Sequence, residues 1–256
     1  MIPYFQILKF NLGLFSLQSW GTMVALGFII AMFVAGWRMK KLGLNHKLVW
    51  DFGLIGILGA IVGSRLFHCF FYTWDYYQKN LLEILYFWTP GYSLYGGIAG
   101  LSLGVILYIK IKKLDFWKYA DVIAFSAPAG LAVGRIGCFF IHDHPGIQTN
   151  FFLGVQYPGG ARWDLGLMQL IANLIIFTVF IILMRKERAP GFYVCAYFIY
   201  YGATRFFLDF LRAWEGPIAE TRYFELLTPA QIFSVILIAV GVMISVNLLK
   251  KRHGAL

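Results

Sequence analysis

Seven runs of about twenty apolar residues, separated by short polar breaks, leave a chain like this few ways to satisfy its own backbone. A helix needs roughly 20 residues, at about 1.5 Å each, to cross ~30 Å of hydrocarbon. Within lipid every backbone N–H and C=O must find its partner inside the segment. The runs lie at roughly 18–37, 50–74, 92–111, 117–142, 167–185, 191–212 and 230–249. Of the 256 residues 60% are hydrophobic and only 13% charged, against about 45–50% and 25% in soluble domains. The sequence therefore predicts an all-α integral membrane protein of seven transmembrane helices, a single polytopic domain over 1–256 with no internal repeat. No basic start followed by a small-residue cleavage site precedes the first run, so a cleavable signal peptide is not expected.

The loops set the orientation. Arg38, Lys40, Lys41 and Lys47 follow the first run, and Lys110, Lys112, Lys113 and Lys118 lie between the third and fourth. Arg185, Lys186 and Arg188 separate the fifth from the sixth, and Lys250, Lys251 and Arg252 follow the seventh. These 14 of the 22 basic residues fall on one side, which the positive-inside rule makes cytoplasmic. The N-terminus and the loops near 75–91, 143–166 and 213–229 are then outside, with the C-terminus in the cytoplasm. A net charge of +10 thus reflects topology, and no nucleic acid is expected as a partner. Cys69, Cys138 and Cys195 show no metal or disulfide spacing. Gly96, Gly100 and Gly104, like Gly130 and Gly134, have the four-residue spacing that lets helices approach closely.

Charge inside the apolar runs is the functional clue. Arg65, Arg135 and Arg205 interrupt the second, fourth and sixth runs, each 7–9 residues before the outer end, or ~10–14 Å below it. Buried charge at such depth faces a partner or a cavity. Arg205, Asp209 and Arg212 share one helix face at i, i+4, i+7, and Asp209 neutralises only one neighbour. The balance leans positive, and a guanidinium fork suits phosphate. The competing reading is structural, with the arginines snorkelling or paired to aspartates. Trp20 and Gly21, then Tyr95, Gly96 and Gly97, stand at the same outer level. Pro145 and Gly146 break the fourth helix, so His142, Asp143 and His144 form its mouth, where a His beside a carboxylate suits general-base work. His68 is a further candidate. Taken singly, each His also fits an interfacial residue bonded to loop backbone.

Several separated motifs resemble those of the bacterial phosphatidylglycerol–prolipoprotein diacylglyceryl transferases. GRIGCFFIHDHPG, residues 134–146, is similar to the family's Gly-Arg-x-Gly-Asn-Phe-x-Asn-x-Glu-x-x-Gly. YGATRFFLDFLR, residues 201–212, resembles its Tyr-Gly-x-x-Arg-x-x-x-Glu-x-x-Arg. Gly63-Ser64-Arg65, Ser93-Leu94-Tyr95-Gly96-Gly97, the stretch Arg162 to Gln169 and Leu227 to Ser234 match further segments in order and spacing. The resemblance implies transfer of diacylglyceryl from phosphatidylglycerol to the lipobox cysteine of a preprolipoprotein, forming a thioether and releasing glycerol phosphate. It implies catalytic roles for Arg135, Arg205, His142, Asp143, His144 and Tyr95. Substrate contacts fall to Arg65, Trp20, Gly96, Gly97, Cys138, Gly146, Asp209 and Arg212. No metal or organic cofactor is expected, and the partners are phosphatidylglycerol, lipobox preprolipoproteins and membrane lipids. The place is the bacterial cytoplasmic (inner) membrane, with the site toward the outer leaflet. The chain departs from the pattern at Cys138 and Ile141, where the family has Asn, at Asp143 for Glu, and at Trp20 for Tyr.

Three other readings compete. One is a headgroup transferase or lipid hydrolase with a different acceptor, and another is a non-catalytic lipid-binding or transport protein. A metal-dependent enzyme using His142 and His144 is weaker, since two of five histidines, His46 and His253, fall on the cytoplasmic side.

Overall fold

The computed structural model describes residues 1–13, 15–213 and 227–253. Most of the outer loop expected near 213–229 lies outside the described residues. Each apolar run is helical: α1 Ser19–Lys41, α2 Leu48–Phe67, α4 Leu94–Ile111, α5 Phe116–Ile141, α6 Leu165–Leu183, α7 Phe192–Asp209 and α8 Pro229–His253. A π turn, His68–Tyr72, prolongs α2, and a single-turn α3, Trp74–Tyr77, follows it. Among the described residues five helices are long and apolar enough to cross a membrane: Ser19–Lys41, Leu48–Tyr72, Phe116–Ile141, Leu165–Leu183 and Pro229–Lys250. Tyr95–Ile111 is a shorter apolar helix. These features fit an integral membrane protein. The all-helical expectation needs one addition, because short strands are also present. β1 Ile2–Pro3, β5 Val155–Tyr157, β6 Gly160–Asp164 and β4 Pro145–Gln148 form a four-stranded sheet in that order. β2 Lys9–Leu12 and β3 Phe15–Gln18 form a hairpin. These strands are only two to five residues long, too short for the alternation seen in Lys9–Leu12 and Phe15–Gln18 to stand out as a strand signal.

The chain folds as two compact parts, one of residues 1–35 and 120–256 and the other of 36–119. In the first part, α1 and α5 meet through glycine. A Cβ on Gly130 would fall 2.6 Å from the Gly27 carbonyl oxygen and 2.8 Å from Ala31 Cβ. α7 meets α8 in the same way, since a Cβ on Gly202 would lie 2.7 Å from Ile238 Cγ1. Helix ends are capped from nearby carboxylates and hydroxyls, as their unpaired N–H groups require. Gly191, which precedes α7 with φ +92°, has no side chain to cap with. Asp121 of α5 does so instead, accepting from Gly191 N at 2.7 Å and Val194 N at 3.0 Å. Asp164 caps α6 by accepting from Leu167 N at 2.8 Å. Thr228 and Gln231 form a reciprocal capping box at the start of α8, with N···O distances of 3.0 and 3.1 Å.

In the second part α2 and α4 form a glycine seam. A Cβ on Gly63 would lie 2.7 Å from Gly100 Cα, and one on Gly97 would lie 2.6 Å from Ser64 Oγ. Gly96 abuts Gly63 and Phe67, and Gly104 abuts Ile55. The four-residue glycine spacing read from the sequence therefore serves packing here, as expected of small-xxx-small contacts.

Candidate active site

The outer end of α5 and the outer half of α7 build a cluster of three guanidiniums, with Arg212 buried and Arg135 and Arg205 half-buried. Arg135 on α5 donates through Nη1 to Cys138 Sγ at 3.7 Å and hydrogen-bonds to Tyr201 of α7. Among the described residues no carboxylate pairs with Arg135 within 4.0 Å. Arg205, one turn beyond Tyr201, places Nη2 3.6 Å from Asp209 Oδ1, while its Nη1 is buried with no hydrogen-bond partner among the described residues. Arg212 lies just past α7 and donates from Nε to the same Asp209 oxygen at 3.2 Å. Asp209 is fully buried and also accepts from the Thr228 hydroxyl. It touches both arginines, as their shared helix face implied, but a single carboxylate offsets only one charge of the three.

The His-Asp-His mouth divides. Asp143 and His144 face the arginines, with His144 Nε2 3.6 Å from Asp143 Oδ2. His144 is pushed down to about 4 by burial first, and then by Arg212, Arg135 and Arg205. Burial raises the Asp143 carboxyl, and Arg135 opposes that shift. His142 turns the other way. It adopts the left-handed conformation at φ +51° that ends α5, a position usually given to Gly or Asn. Its ring stacks on Tyr4 at 4.8 Å and packs edge-on to Phe5 and Phe139. Nδ1 lies 2.6 Å from Asp164 Oδ2, to which the Tyr157 hydroxyl donates at 2.7 Å. Burial and Asp164 push the Tyr157 phenol well above its ordinary value. His142 thus fixes the turn that presents Asp143 and His144, and its ring is enclosed rather than facing the arginines.

Gly146 has a backbone role. A Cβ there would fall 2.9 Å from Trp163 Cβ and onto the Leu211 carbonyl, and Gly146 bridges to Arg212 as an isolated β pair. Trp20 lies across α5 from the same cluster, since a Cβ on Gly137 would lie 3.1 Å from Trp20 Cα. The Trp20 side chain also meets the Cys138 thiol.

The remaining expected residues belong to the second part. Arg65 is completely buried, and all five of its N–H groups are used. Nε donates to Ile84 O at 3.2 Å, and Nη1 to Pro90 O and Gly91 O at 3.2 and 3.4 Å. Nη2 donates to Glu83 O and Thr89 Oγ1 at 2.7 and 2.9 Å. A guanidinium so satisfied has no donor left for a phosphate in this arrangement. His68 packs beneath the same loop, where Gly91 at φ +117° leaves room for its ring. Tyr95 is 42% exposed on the first turn of α4, beside the packing glycines Gly96 and Gly97.

Cys138, Asp143 and His144 offer ligand atoms within 4.8 Å of one another, a set that fits a cation by donor chemistry alone. Three guanidiniums in the same field favour an anion instead. The sequence matched Tyr201 as the first residue of the 201–212 segment without giving it a role, and it gave no site role to Asp164, Tyr157 or Tyr4. Tyr201 was detectable as the residue four before Arg205 on one helix face, and Asp164 as an N-cap three before Leu167. Tyr4 and Tyr157 reach His142 through strand pairing that no local pattern announces.

A family model described as prolipoprotein diacylglyceryl transferase matches residues 7–247 of this chain. Curated relatives carry the name phosphatidylglycerol–prolipoprotein diacylglyceryl transferase. That of Mannheimia succiniciproducens is 28% identical over 98% of this chain and 96% of its own. That of Geobacter sulfurreducens is 32% identical over 82% and 83%, respectively. The Listeria innocua protein is 29% identical over 79% and 77%.

Proposed function

The chain belongs to the prolipoprotein diacylglyceryl transferase family, and from that premise we propose that it moves diacylglyceryl from phosphatidylglycerol to the lipobox cysteine of preprolipoproteins. In this reading seven helices span the bacterial inner membrane, with the N-terminus outside and the C-terminus cytoplasmic. The arginine cluster opens toward the outer leaflet, where both substrates arrive. One observation carries the assignment: half-buried Arg135 and Arg205 carry more positive charge than their partners neutralise, and the Arg205 Nη1 atom is buried without a hydrogen-bond partner among the described residues. An anion bearing several acceptor oxygens completes such a site.

The geometry supports a displacement. The lipid phosphate sits between Arg135 and Arg205, which stabilise the charge that grows on the leaving glycerol phosphate. The lipobox thiol loses its proton to His144, oriented by Asp143, and the thiolate attacks the glycerol carbon bearing the phosphate ester. The new C–S bond replaces the C–O bond, whose electron pair leaves with glycerol phosphate. Burial first, and then the arginines, hold His144 near 4, so it is a weak base. A bound phosphate offsets the arginines' part of that shift and makes the imidazole a stronger base. His142, Asp164 and Tyr157 act through the turn that holds Asp143 and His144, so they are positioning residues.

The test uses purified protein in phosphatidylglycerol liposomes with a lipobox-cysteine peptide, the product read by mass spectrometry. The expected result is a peptide heavier by one diacylglyceryl, lost by about 10²–10³-fold in rate with Arg135→Ala or Arg205→Ala. A peptide that stays unmodified while phosphatidylglycerol is consumed contradicts the acceptor and favours a relative acting on another nucleophile.

A further inference from the structure

Gln169 on α6 is 3% exposed, yet its Oε1 and Nε2 are both buried with no hydrogen-bond partner among the described residues. A buried amide left unmade on both atoms is costly, and native structures keep few. Two helix registers show where it points. Between α5 and α6, a Cβ on Gly166 would lie 3.0 Å from Cys138 Cβ. The two helices run antiparallel, so three residues inward from each contact point stand Gln169 and Arg135. Between α6 and α7, the Tyr197 hydroxyl donates to Asn173 Oδ1 at 3.0 Å, and the Tyr200 hydroxyl to Ala172 O at 2.8 Å. Four residues outward from Asn173 and Tyr197 stand Gln169 and Tyr201. Tyr201 is the hydroxyl that bonds Arg135. Both registers therefore set Gln169 beside the Arg135–Tyr201 pair.

We propose that Gln169 binds a free hydroxyl on the headgroup of the phospholipid held by Arg135 and Arg205, and so selects glycerol-type headgroups. The inference rests on the lipid reading of that site and adds to it the group that chooses among lipids. The choice of hydroxyl follows from the two orphaned atoms. A phosphate or ester oxygen accepts from Nε2 alone, and a headgroup ammonium donates to Oε1 alone. A hydroxyl accepts from one and donates to the other.

The probe is an equimolar pair of lipids, phosphatidylglycerol and phosphatidylpropanol, which share a phosphate and differ in the headgroup hydroxyls. Lipid retained by the detergent-purified full chain is counted by native mass spectrometry, beside the transfer assay. Wild-type protein is expected to retain phosphatidylglycerol about five- to tenfold over phosphatidylpropanol, the worth of about one buried hydrogen bond. Gln169→Met, close in shape, is expected to bring the ratio within about twofold. An unchanged ratio in Gln169→Met overturns the inference whatever the transfer assay gives. Selective retention that Gln169→Met abolishes upholds it even where no peptide is lipidated, and in that case the catalytic reading fails by itself. If Gln169→Met does not fold, Gln169→Asn decides: the amide drawn back by one methylene no longer reaches the hydroxyl, and the ratio is expected within about twofold. An unchanged ratio in Gln169→Asn contradicts the placement of residue 169.

Discussion

Arg65 and Arg135 look alike in the sequence and differ in kind in the fold. Each interrupts an apolar run before its outer end, but Arg65 is fully buried where Arg135 is half-buried. Arg65 spends its five N–H groups on four carbonyls and a hydroxyl of the 83–91 loop. Arg135 meets a thiol and a phenol, with no carboxylate in ion-pair range among the described residues. The first is neutralised by backbone dipoles and holds a loop. The second keeps its charge available. What distinguishes a structural arginine from a ligand-binding one is therefore the tally of internal acceptors, which depth in the membrane does not reveal.

The sharpest way to break this contrast is to remove the loop anchor. Arg65→Ala leaves four loop carbonyls without their donor and a cavity where a fully buried side chain stood, and a loss of about 3 kcal/mol in stability is expected. Thermal unfolding in detergent measures it, and hydrogen exchange should show lost protection across 83–91. A drop within 0.5 kcal/mol would remove the structural assignment. Arg65 also stacks over Tyr77 at 5.3 Å, so Arg65→Lys, which keeps charge without the fork, should recover little.

A second effect concerns pH on the Arg135 side. His144 is neutral in the folded protein down to about 4, below its ordinary 6.5. Between those values the unfolded chain holds more protons at this site. Stability from this group therefore falls as pH drops through 6.5 and levels off below about 4. The activity profile should split in a matching way. In kcat/KM, which reports the free enzyme, the acid limb lies near the low value; in kcat, which reports the lipid complex, it lies at higher pH. Coincident limbs in both profiles would remove the lipid-gated base, and a His144→Ala protein of unchanged rate would remove the base altogether.

The smallest effect tests how Asp209 is held between Arg205, Arg212 and α8. Thr228→Ala removes a cap and a donor to Asp209, and should cost about 1–2 kcal/mol in stability. Thr228→Ser should restore most of it. An equal loss from Ser would point to the methyl group's packing instead.

Much of the helical framework was legible because lipid imposes a long, uniform signal: every apolar run is a helix within a few residues of its expected bounds. Glycine spacing at 96, 100 and 104 also identified the α2–α4 seam. The small sheet was not legible, since β1 pairs with β5 more than 150 residues away, and pairing at that range leaves no local pattern. At the site, Arg135, Arg205, Asp143 and His144 emerged from sequence as a group. The direction of His142 did not, because it depends on one left-handed residue and on Asp164, Tyr157 and Tyr4 closing around its ring. Gln169 closed the matched stretch from Arg162, yet no role followed from that. Its part shows only where its neighbours leave its amide unsatisfied.

The central claim is that Arg135 holds a lipid phosphate and Arg65 does not. The most direct measurement takes Arg135→Gln and Arg65→Gln side by side, with bound phosphatidylglycerol counted by native mass spectrometry and unfolding temperature recorded on the same samples. The account predicts that Arg135→Gln loses bound lipid at near wild-type unfolding temperature, while Arg65→Gln unfolds earlier and, where folded, still carries it. Lipid retained by Arg135→Gln and lost from folded Arg65→Gln would contradict it.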